Sequence, residues 1–279
     1  MLIDSFHAGW LADLSAHHAS LPEGACLVML IDGAFVPGLF RELDSNPSLL
    51  FEALPGCSAA TRDVSPFLVR FDPADSSLVR VLSRCEGRPM VSVIATFETI
   101  DRLYERLAAW CVVQVDGQRF NFRFPDTRRL PAIFAALTGR QRAEMAGRAL
   151  GWRYIGRDGA WRQLACALPD DEPPVTVHAQ LDEAQFARLV SDSEPDEMWA
   201  LLEARGMATH LPPSRRHALL VSALSLAREG RLDILDAARW CTACLRMDGV
   251  DDMATLAARF AAWTTENVRT DDEIVSATA

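Results

Sequence analysis

The sequence predicts an α/β (α+β) protein: an N-terminal mixed sheet with covering helices and β-hairpins, followed by a C-terminal all-helical lobe. Three observations carry that expectation. Strand-like apolar runs alternate with amphipathic segments between residues 25 and 124, Asp-Gly turns separate strand-like pairs at two places, and beyond an acidic, proline-rich stretch the pattern is helical throughout. With 279 residues and 49% hydrophobic content, the chain can bury one large core or two modest ones.

The elements follow in order. "ACLVMLID" (Ala25 to Asp32) is a continuous apolar run ending in Asp-Gly, the pattern of a central strand buried on both faces. "PFLVRF" (Pro66 to Phe71), "MVSVIAT" (Met90 to Thr96) and "CVVQV" (Cys111 to Val115) are further strands. Asp75 to Arg84 and Phe97 to Trp110 read as helices, the second with Ile100, Leu103, Tyr104, Leu107 and Ala108 on one face. Asp116-Gly117 is the favoured pair for a two-residue type I′ turn, because both positions need positive φ. The strand after it, "QRFNFRF", alternates without a slip, so Phe120, Phe122 and Phe124 share one face, and Arg119, Asn121 and Arg123 the other. Helices near Leu130 to Leu137 and Arg140 to Arg148 lead to a second hairpin, turning at Arg157-Asp158-Gly159.

"LPDDEPPVTVHAQ" (Leu168 to Gln180) has no helical period and separates the lobes. The expected organisation is an α/β lobe at 1–168, a Pro/Asp-rich junction at 169–180, a helical lobe at 181–265 and a flexible tail at 266–279. In the helical lobe, Asp182 with Gln185 forms a capping box, Ser193 caps the segment ending at Gly206, and Ser214 caps the apolar helix that Gly230 ends. Ile234 to Met247 and Asp251 to Thr264 complete a bundle.

Composition narrows the function classes. A net charge of −10 argues against nucleic acid as the main ligand, and the longest apolar run, Ala218 to Ala227, is far short of a membrane span. Nothing at the start reads as a signal peptide, so the cytoplasm is the expected compartment. Every basic side chain is Arg. Residues 119–162 carry ten Arg against three acids, while 1–118 carry eight against fifteen and 163–279 ten against twenty. The bland account is pairing of these arginines across the fold; the alternative is a surface for an acidic partner.

Motifs of catalysis are sparse. "WCTAC" (Trp240 to Cys244) has the outline of a thioredoxin site, but it falls inside a predicted helix with no preceding strand. The seven cysteines suit reduced, buried thiols. The six histidines (His7, His17, His18, His178, His210 and His217) form no ligand pattern, and no nucleophile elbow, dinucleotide fingerprint or phosphate loop occurs. No catalytic residue, metal or cofactor is expected. Asp32 at a strand end is where α/β enzymes often keep a catalytic group, although a turn or cap is the preferred account of it. Arg123, Asp126 and Arg128 are spaced to form a charge-assisted network at the strand exit.

Taken together, "LIDGA" (Leu30 to Ala34), "LFEALP" (Leu50 to Pro55), "VSPFLVRFDP" (Val64 to Pro73), "LYERLAAW" (Leu103 to Trp110), "VDGQRFNFRFPDTRRL" (Val115 to Leu130) and "DGAW" (Asp158 to Trp161) resemble the type VI secretion effector-loading adaptors, also called domain of unknown function 4123. The resemblance covers roughly residues 25 to 165. The chain differs from the usual pattern in having Asp126-Thr127-Arg128 where Asp-Pro-Arg is more common, and only Arg102 and Arg106 in the preceding helix. It implies a cytoplasmic, non-enzymatic chaperone that holds a cognate secreted effector and loads it onto the valine-glycine-repeat spike or its proline-alanine-alanine-arginine tip, without nucleic acid or membrane as partners. Asp32, Gly33, Pro66, Arg106, Asp116, Gly117, Phe122, Arg123, Phe124, Asp126, Arg128 and Trp161 are the family-motif residues, with structural or partner-binding roles. The alternative is a small enzyme or binding module acting on an anionic ligand near Asp32, Arg123 and Arg128. A nucleic-acid module on residues 119–162 is a third reading.

Overall fold

The computed structural model describes residues 2–166, 173–176, 178–247 and 252–267. It divides into two compact units, residues 1–192 and 193–279, so the division falls between Asp192 and Ser193, later in the chain than the expected junction at 169–180. Of the expected tail at 266–279, Glu266 and Asn267 belong to the last helix, and 268–279 lie outside the described residues.

In the first unit, α1 (Trp10–Ala19) precedes β1 (Cys26–Ile31), β2 (Ser48–Leu49), α2 (Ala59–Asp63), β3 (Phe67–Arg70), α3 (Ser76–Arg84), β4 (Val91–Thr96) and α4 (Ile100–Ala108). Then come β5 (Val112–Val115), β6 (Gln118–Asn121), α5 (Leu130–Ala136), α6 (Gly139–Ala146), β7 (Ala149–Ile155), β8 (Trp161–Leu164), β9 (Ala179–Gln180) and α7 (Glu183–Ser191). Six strands form one sheet in the order β2-β3-β1-β4-β7-β8, every neighbouring pair antiparallel. A smaller sheet, β6-β5-β9, contains the parallel pairing of β5 with β9.

β1 lies between β3 and β4, and Leu27 through Ile31 are fully buried. Period-two alternation gives the sheet two cores. Val28, Leu30 and Ile94 face a cluster that includes Leu103 and Leu107 of α4, Phe134 of α5 and Trp152 of β7. Leu27, Met29, Ile31, Val91 and Val93 face the other, with Leu14 of α1 and Leu78, Val81 and Leu82 of α3. Each such side chain contributes about 1.5–3 kcal/mol on burial. α3 begins where predicted because the Asp75 carboxylate accepts from the N–H groups of Ser77 and Leu78.

The Asp116-Gly117 hairpin forms as expected, with φ of +46° and +74°. β6 stops at Asn121, however, and does not run to Phe124. Beyond it the Phe122 N–H donates to the Cys111 carbonyl, and the chain bends at Phe122–Phe124. The aromatic stripe still points inward, with Phe122 near Trp110 (6.0 Å between ring centroids) and Phe124 edge-on to Trp152 (6.5 Å). Phe120 packs on Phe186 of α7 at 4.5 Å, and the expected Asp182–Gln185 capping box starts that helix.

The second unit comprises α8 (Glu194–Ala204), α9 (Pro213–Glu229), α10 (Ile234–Arg246) and α11 (Met253–Asn267). α9 packs against the other three. At the centre, the fully buried Trp240 donates from its indole to the Ala223 carbonyl (3.1 Å) and meets the rings of Phe260 and Trp263. Two expected caps differ. Pro212 precedes the first turn of α9, so Ser214 lies inside the helix, and Ser193 precedes α8 with its hydroxyl on the Glu197 carboxylate, not on the backbone. Proline at the first helical position explains the first shift, since its fixed φ suits a helix start.

The β7–β8 hairpin holds the N-terminal segment. Asp4 and His7 donate backbone N–H groups to the carbonyls of Arg157 and Gly159, and a Cβ on Gly159 (φ +73°) would overlap the Ser5 carbonyl oxygen. Gly159→Ala therefore lifts this segment off the hairpin and lowers the unfolding free energy by about 1–3 kcal/mol. Denaturant titration with hydrogen exchange checks this; faster exchange at Asp4 and His7 than at β1 amides is the expected pattern.

Candidate functional site

Asp32 is the first residue beyond β1, and the chain there turns through a short 3-10 segment, Gly33–Phe35. Its N–H donates to the Met90 carbonyl, and one carboxylate oxygen accepts from the Ala34 N–H at 3.0 Å. The other oxygen accepts from the Arg123 guanidinium at 2.8 Å. Asp32 is 1% exposed, whereas the Arg123 side chain is 43% exposed. Gly33 is required by close approach: a Cβ would overlap the Ser65 carbonyl oxygen just before the buried Pro66 at the start of β3. Burial pushes the Asp32 carboxyl above its ordinary pKa, against the pull of Arg123 and the Ala34 N–H, with nearby Asp126 adding to the rise.

Asp126, 3% exposed, holds Arg128 through two side-chain bonds, Nε at 3.1 Å and Nη2 at 2.8 Å, and accepts the Arg128 N–H at 3.0 Å. Arg123 and Arg128 both lie over the Phe35 ring, 5.5 and 5.6 Å from its centroid. The structure thus brings Asp32, Gly33, Arg123, Asp126 and Arg128 together at one end of the main sheet. Thr127 belongs to the same knot, its N–H donating to the Pro89 carbonyl at 2.9 Å, a bond that proline at this position could not make. Both Asp32 oxygens are engaged: the carboxylate ties the turn at 32–35 to Arg123, while the backbone N–H groups of Asp32 and Thr127 fasten both stretches to the carbonyls of Met90 and Pro89.

Arg106 stands apart on α4 in a second knot. It is fully buried, with Nε and Nη2 on the Glu98 carboxylate (3.2 and 2.5 Å). Its Nη1 donates to the carbonyls of Glu144, Pro173 and Pro174 at 3.0 to 3.3 Å. Gly147, at φ +58°, leaves room for the pair, since a Cβ there would overlap the Arg106 Nε. The guanidinium thereby fastens α4 to α6 at Glu144 and to the chain at Pro173 and Pro174.

Trp161 occupies a third place. Its indole donates to the Trp10 carbonyl at 2.9 Å, fixing the start of α1 against β8, and Arg153 of β7 lies over its ring at 5.6 Å. Asp116, Gly117, Phe122 and Phe124 shape the hairpin and its buried exit. Of the basic segment, Arg123 pairs into the acidic N-terminal part, while Arg128, Arg140 and Arg162 pair with Asp126, Glu144 and Asp158 inside the segment itself. Sequence reasoning missed Phe35, Glu98 and Gly147. Glu98 is eight residues before Arg106, beyond helical pairing distance, and Phe35 reads as an ordinary turn residue, so neither carried a signal. "WCTAC" lies inside α10; Cys241 and Cys244 are buried, and desolvation pushes the Cys241 thiol up to about 12 and the Cys244 thiol higher still, opposite to redox activation.

Two outcomes follow. Arg106→Gln leaves a buried Glu98 uncompensated and destabilises the protein by about 3–5 kcal/mol in denaturant unfolding. For Asp32, the folded-state pKa is raised, so the stability it contributes is fully present below the unfolded pKa and is lost as pH rises through the folded one. The stability lost in Asp32→Asn should therefore be largest in mild acid and shrink toward neutrality. A loss that grows with pH would mean that the attraction of Arg123 outweighs burial.

Residues 29–144 match the model of a family described as a domain of unknown function (DUF4123). The matched stretch contains Asp32, Gly33, Pro66, Arg106 and the whole run from Asp116 to Arg128, while Trp161 lies beyond it. A search of curated proteins and a search of solved structures found no match.

Proposed function

We propose that the protein is a non-enzymatic adaptor and chaperone of type VI secretion, which binds a cognate effector in the cytoplasm and loads it onto the spike or its tip protein. The observation that supports this reading is that the motifs, all but "DGAW" at Asp158 to Trp161, fall inside the matched stretch at 29–144. Within that stretch five of the charged motif residues are held in ion pairs: Asp32 with Arg123, Asp126 with Arg128, and Arg106 with Glu98. Residues used in this way hold chain segments in place. They supply no unengaged nucleophile or base, which weakens the reading of Asp32 as a catalytic group.

A bridging protein needs to hold cargo and docking site at once. Binding both converts the second encounter into an intramolecular one, raising the effective concentration of effector at the spike without any new contact. Two separately compact units, an α/β unit and a helical one, provide distinct surfaces for two partners. The test is affinity purification of the tagged, full-length protein from its native cytoplasm, followed by mass spectrometry and sizing of the complex. Stoichiometric recovery of an effector together with a spike or tip protein is the expected result; a protein recovered with neither removes this reading.

A further inference from the structure

One face of α1 and Arg153 of β7 border an open surface cleft of about 480 Å3, lined by Asp13, Ala16, His17, Ser20 and Arg153. Its electrostatics are incomplete. Among the described residues Arg153 has no ion-pair or hydrogen-bond partner, and its guanidinium rests on the Trp161 ring. Asp13, on the same cleft, makes no ion pair with it. The Ser20 hydroxyl donates to the His17 carbonyl at 2.8 Å, which leaves its oxygen as an acceptor. His17 is partly buried and faces Asp13 from its own helix and Arg153 from β7, while the neighbouring His18 turns to the Phe71 ring. Burial, and then the charge of Arg153, hold the His17 imidazole below its ordinary pKa.

We propose that this cleft is a carboxylate-binding site, in which Arg153 grips the carboxylate in the plane of its guanidinium and an N–H of His17 supplies the second donor. The fork of an arginine matches a planar carboxylate with two parallel bonds. Stacking on Trp161, itself anchored to the Trp10 carbonyl, restricts the guanidinium before any ligand arrives. Charge balance selects a monoanion: one arginine with a neutral imidazole attracts a single negative charge, whereas a phosphate dianion would also meet Asp13 without a second cation to offset it. A bound carboxylate beside His17 favours the imidazolium, so binding tightens as pH falls through the His17 titration. The ligand is a free carboxylic acid or the terminal carboxylate of a peptide, which present the same group.

The experiment is an NMR titration of the histidine rings in the full-length protein, with His17 assigned by its disappearance in His17→Gln. In chloride, His17 should titrate below the ordinary imidazole range. Sodium acetate at matched ionic strength should raise its pKa by about one unit and leave His7 and His210 unmoved, while phosphate does less. Arg153→Gln should raise the chloride value and abolish the acetate response. A short peptide with a free C-terminus, compared with its amidated twin, separates the sources: a response to the acid peptide stronger than to acetate points to a protein terminus, and an equal response to a small acid. A His17 pKa that ignores both acetate and the acid peptide, or an equal shift of all the histidines, overturns the proposal.

Discussion

β1 and β4 are cut off from water on both faces, and the first unit is arranged around that constraint. A strand with alternating polarity needs one covering layer; a strand with every side chain apolar needs two. α1 and α3 cover one face, and α4, α5 and the aromatic exit of the β5–β6 hairpin cover the other. Because these covering elements come from distant parts of the chain, their ends must be fastened to the sheet. Ion pairs sit at those fastenings: the buried Asp32 with the partly exposed Arg123 ties the hairpin exit to the end of β1, and the fully buried Arg106 with Glu98 ties α4 to the end of α6 and to Pro173–Pro174.

Buried pairs of this kind contribute little net stability, since desolvating both charges offsets most of their attraction. What they supply is exclusivity. An arginine without a carboxylate partner in a dry interior is far costlier than a misplaced leucine, so a packing that separates Arg106 from Glu98 is strongly disfavoured. The same logic accounts for the glycines beside the pairs. Gly33 and Gly147 lack side chains where a Cβ would displace a carbonyl or a guanidinium from the knot.

Much of this was legible in the sequence because it is local. The strands from Cys26 to Val115, the helix over Asp75 to Arg84, the positive-φ turn at Asp116-Gly117, the capping box at Asp182, and the shared face of Phe120, Phe122 and Phe124 each follow from a period or a local geometric requirement within a few residues. The rest was not local. A continuous apolar run reports two-sided burial but not strand direction, so the antiparallel pairing of β1 with both β3 and β4 had no signature. The ends of β6 and the start of α9 were set by a bend after Asn121 and by Pro213, each overriding a plausible pattern. Asp126 with Arg128 was within reach of spacing arguments, whereas Asp32 meets Arg123 across 91 residues of chain.

The anchoring of β9 and α7 has a mechanical side. β9 lies parallel to β5, Leu181 donates to the Gln114 carbonyl, and Gln185 reaches from α7 to the Ala136 carbonyl and to Gln141. Ser193 follows immediately, where the second unit begins. Tension entering the first unit through its covalent link at Ser193 therefore meets α7 and β9 before it reaches the six-stranded sheet. Those short elements, held by one parallel pairing and a few side-chain bonds, are the mechanical lead-in to the unit, lying in chain order between that link and the sheet with its two cores.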